Sequence, residues 1–116
     1  MRAGTSPSIT GLAEGGFQIA FQANSTRLWT VGRAGNYDLG LEMMAGTSPS
    51  ISALPRGSFE IAYQANTGYL HTWGAIGTAN TGARMLSNTS PSITGDYGGA
   101  EIAYQGATRT LWHWSF

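Results

Sequence analysis

Ser6-Pro7-Ser8-Ile9 returns as Ser48-Pro49-Ser50-Ile51 and again as Ser90-Pro91-Ser92-Ile93, each copy 42 positions after the last. The similarity runs well beyond those four residues. Between Ala3–Gly32 and Ala45–Gly74, 18 of 30 aligned positions are identical, far more than chance gives. A fixed period of this length is the mark of a repeat architecture. The chain therefore reads as a single repeat domain, residues 1–116, divided at about 1–42, 43–84 and 85–116. The third copy drops one residue in the turn after Ile93, so Gln22 and Gln64 correspond to Gln105, and Leu28 and Leu70 to Leu111. It also has no counterpart of 36–42 or 80–84, so the expectation is an incomplete last unit.

Each unit predicts short strands. Ser8 to Leu12 follows a proline at the strand's first residue, where a missing N–H is tolerated. After a turn at Glu14-Gly15-Gly16, Phe17-Gln18-Ile19-Ala20-Phe21-Gln22-Ala23 alternates with period two, as do Phe59–Ala65 and Glu101–Gly106. Turn residues at Asn24-Ser25-Thr26, Asn66-Thr67-Gly68 and Ala107-Thr108 lead into Leu28-Trp29-Thr30-Val31 and its equivalents, predicting a hairpin. A weaker fourth strand is expected near Tyr37–Met44 and Thr81–Leu86. Four short strands per ~42 residues is the content of a β-propeller blade. The Ala20, Ala62, Ala103 column stays small while Ile19, Ile61 and Ile102 stay bulky, the alternation that packing of sheets face to face requires.

Composition narrows the function. Six basic and six acidic residues cancel, so the basic footprint of a nucleic-acid binder is missing. Zero cysteines exclude disulfides, thiolate metal sites and a cysteine nucleophile. No apolar run approaches the ~20 residues of a membrane helix. Met1-Arg2-Ala3-Gly4 enters the repeat without a signal-peptide h-region; if the parent protein is exported, this chain is expected to be a mature form or an excised piece. The acids Glu14, Asp38, Glu42, Glu60, Asp96 and Glu101 recur only as Glu60/Glu101, in different units, which does not set two carboxylates across one bond. His71 and His113 lack a metal-ligand spacing. Catalysis, a metal and a cofactor are not expected.

The order Ser-Pro-Ser-Ile, turn, Phe-Glu-Ile-Ala-Tyr-Gln-Ala-Asn, turn, Leu-Trp-x-Val or Leu-His-x-Trp resembles the repeats of bacterial propeller lectins. It is similar, more loosely, to the tectonin and Photorhabdus-lectin type of blade, and Leu111-Trp112-His113-Trp114 is the nearest local match. That resemblance implies an all-β propeller and a carbohydrate-binding, multivalent role. Similar repeats look like those appended to secreted actinobacterial hydrolases, which implies glycan targeting and a secreted location. Lectins of this kind carry six or seven blades in one chain. Three units fall short of the typical four to eight, so closure is expected from a homodimer, two chains head to tail in a six-bladed ring. The alternative is threefold closure of one chain as a β-trefoil or β-prism, although the Gln-x-Trp and Gln-x-Asp-x-Asn-x-Val-x-Tyr signatures of those folds are missing.

A sugar site needs an aromatic platform with fixed polar partners at its edge. Trp29, His71 and Trp112 share one column, and Val31, Trp73 and Trp114 share the column two residues on, hence the same strand face. Gln22, Gln64 and Gln105 form an adjacent column, with Asn24 and Asn66 at the hairpin turn. These residues are the expected carbohydrate contacts, although the Trp columns could instead be blade packing and the Gln column a side-chain bond to a neighbouring blade's backbone. Where His71 replaces Trp and Ala107 replaces Asn, a weakened or empty site is expected. Gln18, Glu60 and Glu101 are expected to anchor a neighbouring turn. The other functional reading is a non-catalytic structural or protein-interaction propeller fragment, natural or engineered.

Overall fold

A computed structural model describes residues 1–116. It is all-β, with eleven strands in three antiparallel sheets and no α-helix. The first sheet is β1 (Ser8–Gly11), β2 (Phe17–Gln22), β3 (Arg27–Gly32) and β4 (Tyr37–Glu42), paired in that order. The second repeats it as β5 (Ser50–Ala53), β6 (Phe59–Gln64), β7 (Tyr69–Gly74) and β8 (Ala79–Arg84). The third has three strands, β9 (Ser92–Gly95), β10 (Ala100–Gln105) and β11 (Leu111–Ser115). Four-stranded meanders of this kind are compatible with propeller blades.

The repeat is kept in the register. Ile19 pairs with Val31, Ile61 with Trp73 and Ile102 with Trp114. The one-residue deletion falls in the β9–β10 loop, 96–99, against 54–58 in the second sheet. β3 and β7 carry the same irregularity against their outer strands, between Arg27 and Trp29 and between Tyr69 and His71. Gly32 and Gly74, both at the end of the third strand, adopt φ of 151° and 152°. A Cβ on Gly74 would strike the Phe59 carbonyl oxygen and Glu60 Oε1, so the residue there must be glycine.

The core lies between sheets, and it is built twice from equivalent positions. Ala20, Leu28 and Met43 meet Ile51, Phe59, Ile61 and Tyr63. One unit later, Ala62, Leu70 and Met85 meet Ile93, Ala100 and Ile102. The small alanine column lets the facing isoleucines approach, and Leu28 and Leu70 are both 0% exposed. Burying such a leucine stabilises the fold by about 1.5–3 kcal/mol. Methionines 42 positions apart complete the pattern: Met43 bridges to Ala65 and Met85 to Gly106. Arg2 N donates to Gln22 O as Met44 N does to Gln64 O and Leu86 N to Gln105 O.

The Ser-Pro-Ser repeat has a second role. The first strands β1, β5 and β9 lie side by side, and hydroxyls stitch them. Ile51 N donates to Ser8 Oγ and Ala53 N to Thr10 Oγ1, both at 3.1 Å. Ile93 N donates to Ser50 Oγ (3.1 Å) and Gly95 N to Ser52 Oγ (2.7 Å). In the opposite sense, Ser6 N donates to Ser48 Oγ and Ser48 N to Ser90 Oγ. Edge amides that a sheet normally leaves unpaired are thereby satisfied by the neighbouring sheet's side chains.

Candidate functional site

Both aromatic columns lie on one strand face, but at opposite ends of it. Trp29, His71 and Trp112 sit at the end carrying the β2–β3, β6–β7 and β10–β11 turns. Trp73 and Trp114 sit at the end carrying the loops between the first two strands of each sheet.

At the first end, Trp29 is half-buried and stacks on Phe21, centroids 6.3 Å apart. It walls a cleft of about 500 Å³ with Asn24, Ser25, Arg27 and Asp38. The rim is pinned: Arg27 Nη1 reaches Asp38 Oδ2 at 3.2 Å and its Nε reaches Glu42 Oε1 at 3.3 Å. The hydrogen bond to Asp38, then that to Glu42, raises the guanidinium pKa further above its usual value. Trp112, one column equivalent, walls a cleft of about 270 Å³ with Tyr104, Ala107, Thr108 and Arg84 from the second sheet. Trp112 is 54% exposed, yet fixed. Its Nε1 donates to Thr110 Oγ1 at 2.8 Å, and its ring lies directly on Gly106, where any Cβ would collide with it.

The middle sheet differs. His71 is half-buried against Tyr63 at 5.6 Å, and Tyr63 is buried. Burial pushes the His71 imidazole below its usual pKa and the Tyr63 phenol up to about 12, so both are neutral at pH 7. Asn66 at the adjoining turn is exposed, as is Asn24.

At the opposite end Trp73 is half-buried and tilts against Phe59 at 5.9 Å. It lines a cleft of about 320 Å³ between the first two sheets. Trp114 meets Phe116 edge-on at 4.8 Å, and Phe116 packs over Gly77 and Gly99. Between the second and third sheets, Arg56, Ile76 and Tyr97 line a cleft of equal size.

No family model and no curated protein matches this chain.

One group of expected contacts is corrected. Gln22 and Gln64 are 0% exposed and spend their amides on the connections between sheets. Gln22 Nε2 donates to Met44 O (2.9 Å) and Thr47 O (3.0 Å), and its Oε1 accepts from Gly46 N. Gln64 Nε2 donates to Leu86 O at 3.1 Å. Two sheets are stapled this way because buried backbone groups must be paired, and such amides cannot reach a ligand. Gln105 occupies the same position on the third sheet and is half-buried.

Gln18 and Glu60 anchor turns as expected, whereas Glu101, expected to do the same, pairs with side chains of β11. Gln18 Oε1 accepts from Ala34 N (2.9 Å), while its Nε2 donates to Thr30 Oγ1 (2.9 Å) and Gly35 O (3.0 Å). Glu60 Oε1 accepts from Ile76 N at 3.0 Å, and its Oε2 is buried without a partner. Desolvation raises its pKa to about 7, against weaker opposition from the Ile76 and Gly77 amides and Thr72. On the third sheet Glu101 Oε1 meets His113 Nε2 at 2.7 Å and accepts from Ser115 Oγ at 2.9 Å.

Proposed function

We propose that the chain is a non-catalytic carbohydrate-binding module whose sheets are blades of a closed β-propeller, with sugars stacking on Trp112 and Trp29. The observation that carries the reading is Trp112, a large apolar ring held more than half exposed by a hydrogen bond and a glycine seat. An aromatic ring fixed in place loses little conformational freedom when a ligand covers it. A pyranose offers it an apolar C–H face, and its hydroxyls find Arg84 and Thr108 at one cleft and Asn24, Ser25 and Asp38 at the other.

Each shallow site binds weakly, and repetition is the mechanism that compensates. Several such sites on one particle raise avidity by ~10²–10⁴ without new contacts. The likeness of the repeat to bacterial propeller lectins supports the same reading, while the sugar's identity is for the experiment to give.

A glycan array on the purified chain and its Trp112→Ala variant tests it. Because Trp112 is exposed, the variant should lose no more than about 1 kcal/mol of stability while losing at least tenfold in array signal. A chain that binds no glycan, or a variant that binds as well as the parent, would defeat the sugar reading and leave the structural or protein-interaction role.

A further inference from the structure

Two sheet faces are uncovered, and each is the repeat equivalent of a face that is buried inside the chain. Leu28 and Leu70 are 0% exposed, but Leu111 at the same position of the third sheet is 82% exposed. Ala103 is likewise exposed where Ala20 and Ala62 are sealed. At the other extreme Ile9 is 63% exposed, against 5% for Ile51 and 8% for Ile93. Phe17 and Met1 are exposed, while their equivalents Phe59, Met43 and Met85 are buried.

We infer that the open face of the third sheet binds the open face of the first sheet in a second copy of this chain, so that two chains close one ring. This rests on the reading of the sheets as blades. The occupant follows from continuity with the two internal interfaces, because the uncovered faces are the two halves of that same contact. A head-to-tail contact of this kind either closes into a ring or grows into a filament. With three sheets per chain, two copies supply the only multiple of three within the usual four to eight blades.

The hydroxyl stitching fixes the register. By the pattern that joins Ile51 to Ser8 and Ile93 to Ser50, Ile9 N of one copy donates to Ser92 Oγ of the other. Gly11 N donates to Thr94 Oγ1, and Ser90 N donates to Ser6 Oγ in the opposite sense, as Ser48 N does to Ser90 Oγ. Leu111 and Ala103 then meet Ile9 and Ile19, the counterparts of the Leu70 and Ala62 contacts with Ile93 and Ile102.

Native mass spectrometry of the full chain at micromolar concentration, beside Leu111→Arg and Ile9→Arg, tests the contact. The parent should give twice the 12.2 kDa chain mass. Each variant should fall to the single-chain mass, with at least a hundredfold weaker association and an unchanged β-sheet circular dichroism spectrum, since both positions are exposed in the lone chain. A single-chain mass for the parent, an open series of masses, or a two-chain mass that survives either variant would overturn the inference. Failure of the sugar reading looks different: a two-chain particle silent on the glycan array loses its ligand and keeps its seam.

Discussion

Leu70→Ala is expected to lower folding stability by about 2–5 kcal/mol, read as a fall in the urea midpoint. Leu70 is fully buried between the second and third sheets, in a cluster with Ala62, Met85, Ile93 and Ile102. Truncation removes the leucine's transfer free energy and leaves a cavity that flanking β-strands, held by their own ladders, relax into only partly. Since a domain of this kind has ~5–15 kcal/mol in total, the loss is a large share of it. A change under about 1 kcal/mol would show that the space between sheets is loosely packed and that the repeated core is not what holds them together.

Glu60→Gln is expected to stabilise the fold by about 2–3 kcal/mol above pH 7. The carboxyl occupies a site built for an amide: at the same position Gln18 donates to Thr30 and Gly35 and accepts from Ala34. Glu60 accepts from Ile76 but leaves Oε2 buried and unpartnered. Its pKa rises from 4.5 to about 7 on folding because burial disfavours the charge. The folded state therefore binds the extra proton between those values. The contribution to stability is fully present below about pH 4.5 and is lost as pH rises through about 7, where the acid must either ionise in the core or cost the fold its structure. Glutamine keeps the acceptor and supplies the missing donor at every pH. Urea midpoints at pH 5 and pH 8 should converge in the variant and differ in the parent. Equal pH slopes in the two proteins would mean that Glu60 is ionised or hydrated in the fold.

Much of the architecture was legible from repeat spacing and period-two alternation, because both are consequences of a backbone pairing that each unit repeats. The predicted strand of Phe17–Ala23 is β2, shortened by one residue, and the weak fourth strands appear as β4 and β8. The role of Gln18 and Glu60 as turn anchors was also accessible, since an amide or carboxylate beside a tight turn is the natural acceptor for its free N–H groups; Glu101 departs from it because His113 and Ser115 on β11 take its carboxylate instead. The Gln22 column reads both ways in the sequence. Recurrence beside an aromatic marks a structural amide as readily as a binding one, and only burial and the Met44 and Thr47 carbonyls tell them apart. Two signals were present and unread. Met1, Met43 and Met85 repeat at the same 42-residue period as the serines, and Met43 and Met85 pack the seams between sheets. The Ser-Pro-Ser hydroxyls find partners 42 or 43 residues away in the next sheet, a distance at which sequence alone gives no geometry.

The division between Trp29 and Trp112 at one end and Trp73 and Trp114 at the other follows from two residues of strand travel. Two positions along a strand move a side chain about 6.5–7 Å without changing face, enough to pass from one mouth of an inter-sheet cleft towards the other. A shared face was therefore a correct expectation that did not imply a shared pocket.

The central claim, that each sheet's side chains are completed by the next sheet around a common axis, is tested most directly by amide hydrogen exchange at Ile9 and Gly11. Ile51 and Ala53, their equivalents, donate to Ser8 and Thr10 hydroxyls within the chain and should exchange slowly. At micromolar concentration Ile9 and Gly11 should be protected to the same degree. Rapid exchange at both, beside protected Ile51 and Ala53, would show an edge facing water and would contradict it.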